Sequence, residues 1–350
     1  LQPIYKTNHY TDMAIIGLGN ALTDILVQLP DESILRELGV ERGGMYLIDS
    51  RKHQQMMSRI GHLPQSIAAG GSAANMVGGV ATLGTPAAYV GHIGADATGE
   101  AFRRCQQQKH IKPLLGVSEA TPSGKCISMV LPDGERTMLT YLGAALEIDT
   151  RELTPENLRG NKVLFIEGYL LNCPDVIEPA MQAAREAGVF VALDAASFTV
   201  IREYKTYADR LIDRYVDILF ANEDEATALT GTTDPSQALE MLAPRCSIVV
   251  VKVGPQGSLI AHDTERYRIG TIDARPVDKT GAGDLYAAGF LHGFARGLSL
   301  RQCGEMGAVV SSKSIEVMGA QLPDPVWQEI RPLIDSIASG NTDIVSSVRL

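Results

Sequence analysis

Residues 277–290, Val-Asp-Lys-Thr-Gly-Ala-Gly-Asp-Leu-Tyr-Ala-Ala-Gly-Phe, set a carboxylate directly after a glycine-rich turn and at the mouth of a small-residue, apolar helix. The first N–H groups of a helix have no intrahelical acceptor, and the macrodipole adds partial positive charge at the same end. Phosphate oxygens bind in such a place, and Gly281 and Gly283 let the backbone come close to them. Asp284 shares that pocket, which suits a general base for a substrate hydroxyl. A carboxylate that only caps the helix is the competing reading.

Four other segments carry polar groups beside strand-like runs. Ile16-Gly-Leu-Gly-Asn20 invites a dinucleotide-binding reading, but a Gly-x-Gly-x-x-Gly pattern counted from Gly17 needs a third glycine where Leu22 stands. An NAD-dependent oxidoreductase is therefore disfavoured, and Asn20 and Asp24 read as turn residues or as partners for sugar hydroxyls. Ala69-Gly-Gly-Ser-Ala-Ala-Asn75 offers N–H groups at Gly71, the Ser72 hydroxyl and the Asn75 amide, a set that can read a polyol, with close helix packing as the alternative. Asn222 and Glu225 share one helix face and suit a hydrated Mg²⁺ beside phosphates, although a solvated acidic first turn explains them equally well. Lys252-Val-Gly-Pro-Gln-Gly257 reads as a tight turn after a strong strand, and its nucleotide reading depends on the other motifs. The seven histidines have no metal-ligand spacing.

These motifs need elements to position them, and the chain supplies a βαβ alternation. Candidate strands are residues 13–17, 87–91, 162–166, 189–193, 218–220 and 247–252, continuous apolar runs suited to parallel strands covered on both faces. Candidate helices are 73–83, 99–108, 175–187, 223–229, 284–296 and 300–316. An α/β doubly wound, mostly parallel sheet with helices on both faces follows. Residues 23–29, 44–48, 125–131 and 136–142 break the rhythm as additional strands, the last two joined by the hairpin signal Pro132-Asp-Gly-Glu. They are expected to form a small β-sheet lid, inserted at about 23–50 and 112–142 of a single domain spanning 12–335, with tails at 1–11 and 336–350. A small sheet can also bury an apolar face against a second subunit. Either a homodimer through Ile127 and Met129 or a monomer is expected.

A 350-residue chain with 45% hydrophobic and 21% charged residues is ordinary for a soluble globular protein. Its net charge of −10 disfavours nonspecific binding to nucleic acid or anionic membrane. Five cysteines, odd in number and without Cys-x-x-Cys spacing, fit reduced thiols in the cytoplasm. No 18-residue apolar run suggests a membrane span.

Gly-Gly-Ser-Ala-Ala-Asn near the start and Asp-Lys-Thr-Gly-Ala-Gly-Asp near the end, in that order and some 200 residues apart, resemble the PfkB/ribokinase family of carbohydrate and nucleoside kinases. The resemblance covers residues 13–335 and implies an ATP-dependent kinase with a ribokinase-like fold. It implies that Asp284 is the catalytic base and that the N–H groups of Gly281, Ala282 and Gly283 form an anion hole. It further implies that Asn20, Asp24, Gly71, Ser72 and Asn75 contact the sugar and that Asn222 and Glu225 organise Mg²⁺ and phosphate. Gly254 and Gly257 match the turn beside ATP, with residues 308–312 lining the adenine pocket. Asp278 and Thr280, with Gly319-Ala320, match a K⁺ loop, although Lys279 stands where family members commonly carry Thr. Gly-Asn-Ala-Leu-Thr-Asp and Asp-Gly-Glu-Arg-Thr-Met look like the adenosine-kinase-like branch, where Arg136 is expected to swing onto phosphate. Adenosine is then the first expected substrate and ribose or fructose the alternative, with Met45, Leu47, Met138 or Tyr141 as a floor for the base.

Overall fold

The structure is a computed structural model that describes residues 14–341 and 344–350. The expected tail at 1–11 and the first residue of the candidate strand at Met13 lie outside the described residues. Ten strands form one sheet, in the order Ser347–Arg349, Glu265–Ile269, Ser258–His262, Ile248–Lys252, Ile218–Asn222, Phe190–Asp194, Val163–Glu167, Ile15–Leu18, Ala87–Gly94 and Lys112–Ser118. From Ile248–Lys252 to Lys112–Ser118 neighbouring strands run parallel, and the other three add an antiparallel edge.

Parallel strands need long crossovers, and helices that pack on both faces provide them. The central strands are apolar up to their carboxyl ends, yet their residues part by side. Val163 and Phe165 enter the core under the helices Ser72–Thr82, Ala282–Ala295, Leu300–Ser314 and Asp324–Ala338. Leu164 and Ile166 enter the opposite core, under Pro174–Ala187 and Lys205–Tyr215. Ile15–Leu18 is flanked by Ala87–Gly94 on one side and Val163–Glu167 on the other, so the connections diverge there and open a crevice at the strands' carboxyl ends.

A second sheet of five strands, Met45–Leu47, Arg136–Tyr141, Gly124–Val130, Leu22–Gln28 and Gln65–Gly70, covers that crevice. The hairpin at Pro132-Asp-Gly-Glu forms as its sequence signals. Gln65–Gly70 escaped the sequence reading because its Ala-Ala-Gly end has little strand propensity; pairing with Leu22–Gln28 holds it. Lys112–Ser118, assigned to the lid from sequence, instead forms the edge of the large sheet beside Ala87–Gly94. Segment 336–350 is not a simple tail either. Ser347–Arg349 pairs with Glu265–Ile269, and Ser347 Oγ donates to the buried Glu305 Oε1 at 2.5 Å.

Strand parity decides a further correction. Ile127 and Met129 are fully buried with Leu35, Met56 and Ile60, beneath the helices Ser33–Leu38 and Ser50–Ile60. The face expected to be free for a second subunit is therefore the inner face of the lid's own core. Among the described residues, no helix is long and apolar enough to cross a membrane. The five cysteines are free thiols.

Candidate active site

Adjacent parallel strands end on polar residues: Lys252, Asn222, Asp194, Glu167 and, two residues past Leu18, Asn20. Together with the lid and the start of the helix Ala282–Ala295 they line a cavity of about 1040 Å³. Asp284 lies in the first turn of that helix and faces the cavity. The turn before it requires glycine twice over, since Gly281 has φ 72° and a Cβ there would lie 2.3 Å from the Ala320 Cβ. Ala282 departs from the expectation: its N–H donates to the Lys279 carbonyl at 3.2 Å and closes the turn, leaving Gly281 and Gly283 as the better anion donors.

Ser72 Oγ donates to Asp284 Oδ1 at 2.7 Å, and Asn75 Nδ2 donates to Oδ2 at 2.9 Å. Both come from one turn of the helix Ser72–Thr82, which Gly71 opens at φ 99°. Residues read from sequence as sugar contacts thus hold the carboxylate in place, while still lining the cavity. Burial raises the Asp284 pKa and the charge of Asp194 adds to it, against the lowering effect of Asn75 and Ser72.

Asp24 sits in the lid strand Leu22–Gln28 against Gly70, where a Cβ would fall 2.1 Å from the Asp24 Cγ. Burial, followed by the charge of Asp284, pushes its pKa up to about 7. Asn20 donates from its backbone N and its Nδ2 to Glu167 Oε1, at 2.8 and 2.7 Å. Glu167 Oε2 accepts the Ala73 N–H at 2.9 Å, so one carboxylate ties Asn20 to the helix that holds Asp284. Glu167 is fully buried, which raises its pKa to about 7.

At the end of the cavity read from sequence as the nucleotide side, Asn222 and Glu225 form a capping box rather than a solvated acidic turn. Asn222 N and Nδ2 donate to Glu225 at 2.7 and 2.8 Å, and Glu225 N donates back to Asn222 Oδ1 at 2.9 Å. Burial pushes the Glu225 pKa up to about 7. Gly254, Gly257, Ala308, Ser311 and Ser312 line the same cavity. Asp278 Oδ1 accepts the Thr280 N–H and hydroxyl at 2.9 and 2.7 Å, and Oδ2 accepts the Gly319 N–H at 2.7 Å. Lys279 turns away from that loop. Its amine pairs with Glu135 at 3.4 Å, and its N–H meets the Gly134 carbonyl at 3.3 Å.

Arg136 lines the cavity, and its buried Nε has no hydrogen-bond partner among the described residues. Met45, Leu47 and Met138 form an apolar wall. Tyr141 does not belong to it, because alternate residues of a strand point to opposite faces. Met138 and Thr140 face the cavity, whereas Tyr141 packs toward His53 with ring centroids 6.3 Å apart. Among the described residues, no cluster of three or more His, Cys, Asp or Glu side chains is arranged to hold a metal.

Sequence reasoning missed Glu167 and Asp194 and gave Lys252 no role beyond its turn. A signal was present: each of the three directly follows the apolar run of a candidate strand, at the carboxyl end where open α/β sheets bind ligands.

The model of the pfkB family carbohydrate kinases matches residues 63–327. The adenosine kinase of Saccharomyces cerevisiae is 26% identical over 336 residues, which cover 88% of this chain and 96% of that one. The crystal structure of adenosine kinase from Sinorhizobium meliloti superposes with a TM-score of 0.87 at 34% identity, covering 92% of this chain and all of that one. A probable sugar kinase protein from Rhizobium etli gives a TM-score of 0.87 at 33% identity, covering 92% and 99%.

Proposed function

Because the chain belongs to the pfkB family of carbohydrate kinases, and so is a phosphotransferase with a hydroxyl acceptor, we propose that it transfers the γ-phosphoryl of ATP to the primary hydroxyl of a nucleoside, converting adenosine to AMP. The observation that carries the reading is the Asp284 carboxylate, held by Ser72 and Asn75 at the mouth of a glycine-led helix on the cavity. In this reading Asp284 takes the hydroxyl proton while the N–H groups of Gly281 and Gly283 meet the phosphoryl oxygens. Asn20 and Asp24 bind the sugar, and Arg136 turns its free donors to phosphate. The apolar wall of Met45, Leu47 and Met138 supports a base rather than a bare sugar.

Mg²⁺ bound to ATP supplies charge neutralisation on the transferring phosphates and needs few protein ligands. Each Glu225 oxygen accepts one hydrogen bond from Asn222 and keeps a lone pair for a metal-bound water, so the residue fits that role. Asp278 fits a K⁺ ligand less well. Its Oδ1 already takes two donors and its Oδ2 one, so it serves as a clip between Thr280 and Gly319.

ATP turnover over adenosine, other nucleosides, ribose and fructose tests the assignment. Adenosine should give the highest kcat/KM. A far higher value for ribose or fructose would move the substrate to the sugar class, in keeping with the Rhizobium etli relative. Asp284→Asn should lower kcat by roughly 10² to 10⁴ with little change in ATP affinity or melting temperature. Near-wild-type turnover in that variant would remove Asp284 as the base.

A further inference from the structure

Resting on that reading, we propose that Lys252 is a catalytic residue whose ammonium binds the phosphoryl group in transit. Lys252 ends the strand Ile248–Lys252 and pairs in register with Asn222. Its side chain is 14% exposed and crosses toward the next strand but one, where Nζ donates to Asp194 Oδ2 at 2.9 Å. A Cβ on Gly283 would lie 2.9 Å from that Nζ, so the ammonium stands against the backbone of the expected anion hole.

The ammonium also faces a helix mouth. The N-terminus of a helix carries partial positive charge and repels an ammonium. Asp194 alone does not account for the placement, because an Asp at a strand end can be satisfied by ordinary neutral donors, as its Oδ1 is by the Ala196 N–H at 2.9 Å. Helix mouth and ammonium become compatible when an anion lies between them. Carboxylates, Asp194 and Asp284 among them, also line the cavity and, where ionised, repel a polyphosphate. Asp194 and Glu225 keep Lys252 charged despite its burial. Lys252 leads into the Gly254–Gly257 turn on the nucleotide side, whereas Arg136 comes from the lid.

In the step itself, the acceptor oxygen forms a bond to the γ-phosphorus as the bond from that phosphorus to the β,γ-bridging oxygen breaks. The electron pair leaves with ADP, and the hydroxyl proton passes to Asp284. Lys252 donates a hydrogen bond to a peripheral oxygen of the moving group and keeps its proton throughout.

Lys252→Met keeps most of the length of the side chain and removes its charge. With ATP and the best acceptor of the panel, kcat should fall about 10²- to 10³-fold while the acceptor KM changes less than about threefold, and Lys252→Arg should recover about tenfold or more. A purely structural partner of Asp194 behaves differently, and the double variant separates the two. On an Asp194→Asn background, which removes the ion-paired carboxylate, Lys252→Met should still slow kcat about 10²-fold. A change below about threefold on that background overturns the proposal. If Lys252→Met fails to fold by circular dichroism, the double variant compared with Asp194→Asn gives the same test. Wild type and Asp284→Asn run alongside: turnover that survives Asp284→Asn, or no transfer to any acceptor, defeats the parent reading, whereas loss with Asp284→Asn and retention without Lys252 defeats this proposal alone.

Discussion

Asp284 was legible because the parts of its motif are contiguous: two glycines, the acid and a helix in a single run of sequence. Glu167, Asp194 and Lys252 were not, since each is one residue at the end of a different strand, and only sheet order brings them together. Glu167 joins Asn20 to the Ala73 N–H, and an amide cannot accept at both of its ends. Glu167→Gln should therefore raise the acceptor KM and cost about 1 to 3 kcal/mol in denaturant unfolding, because a buried donor loses its acceptor. Asp24 has a pKa raised to about 7, chiefly by burial. For a carboxylate raised on folding, the native state holds the proton more tightly, so the associated stability is full below about pH 4 and is lost as pH rises through about 7. Asp24→Asn removes that dependence. Melting curves at pH 5 and pH 8 should show the variant gaining more over wild type at pH 8, by about 2 °C or more; an equal shift at both values would mean Asp24 does not titrate in this way.

Most of the large sheet was readable as elements, because its central strands are unbroken apolar runs between amphipathic helices and match the burial found on both faces. Faces within an element were harder to read. Met138 and Tyr141 lie three residues apart on one strand and cannot share a side, a parity constraint that separates the cavity wall from the lid core. The Asn222–Glu225 pair was seen as a possible metal site, yet its geometry first makes it the cap of the helix Glu223–Thr230. Asn222→Ala should cost about 0.5 to 2 kcal/mol in urea unfolding through loss of the cap. ATP affinity should drop with it, since the freed Glu225 no longer has a fixed orientation. At the start of the helix Ala282–Ala295, Gly281→Ala forces a Cβ into Ala320 and a side chain into the left-handed region. It should destabilise the protein by about 1 to 3 kcal/mol and depress turnover more than that loss explains.

At the scale of the whole molecule, the lid has its own packed interior, a property hidden in the sequence because its strands and covering helices are dispersed over residues 22–141. Ile127→Ser should therefore lower stability by about 2 to 5 kcal/mol, as expected for truncating a fully buried side chain and leaving a hydroxyl among apolar neighbours. Light scattering of that variant should give the mass of the wild type. The lid also meets the turn before the helix Ala282–Ala295, through Glu135 on the Lys279 amine and the Gly134 carbonyl on the Lys279 N–H. Lys279 lies two residues before Gly281, so the lid hairpin is joined to the turn proposed as the anion hole. This junction bears on economy as well as speed. A kinase must keep water from taking the place of its acceptor, and this contact gives the lid a direct hold on the turn that leads to Gly281. Glu135→Lys should accordingly raise ADP release in the absence of acceptor relative to AMP formation in its presence, a leak measurable by running both assays on one preparation.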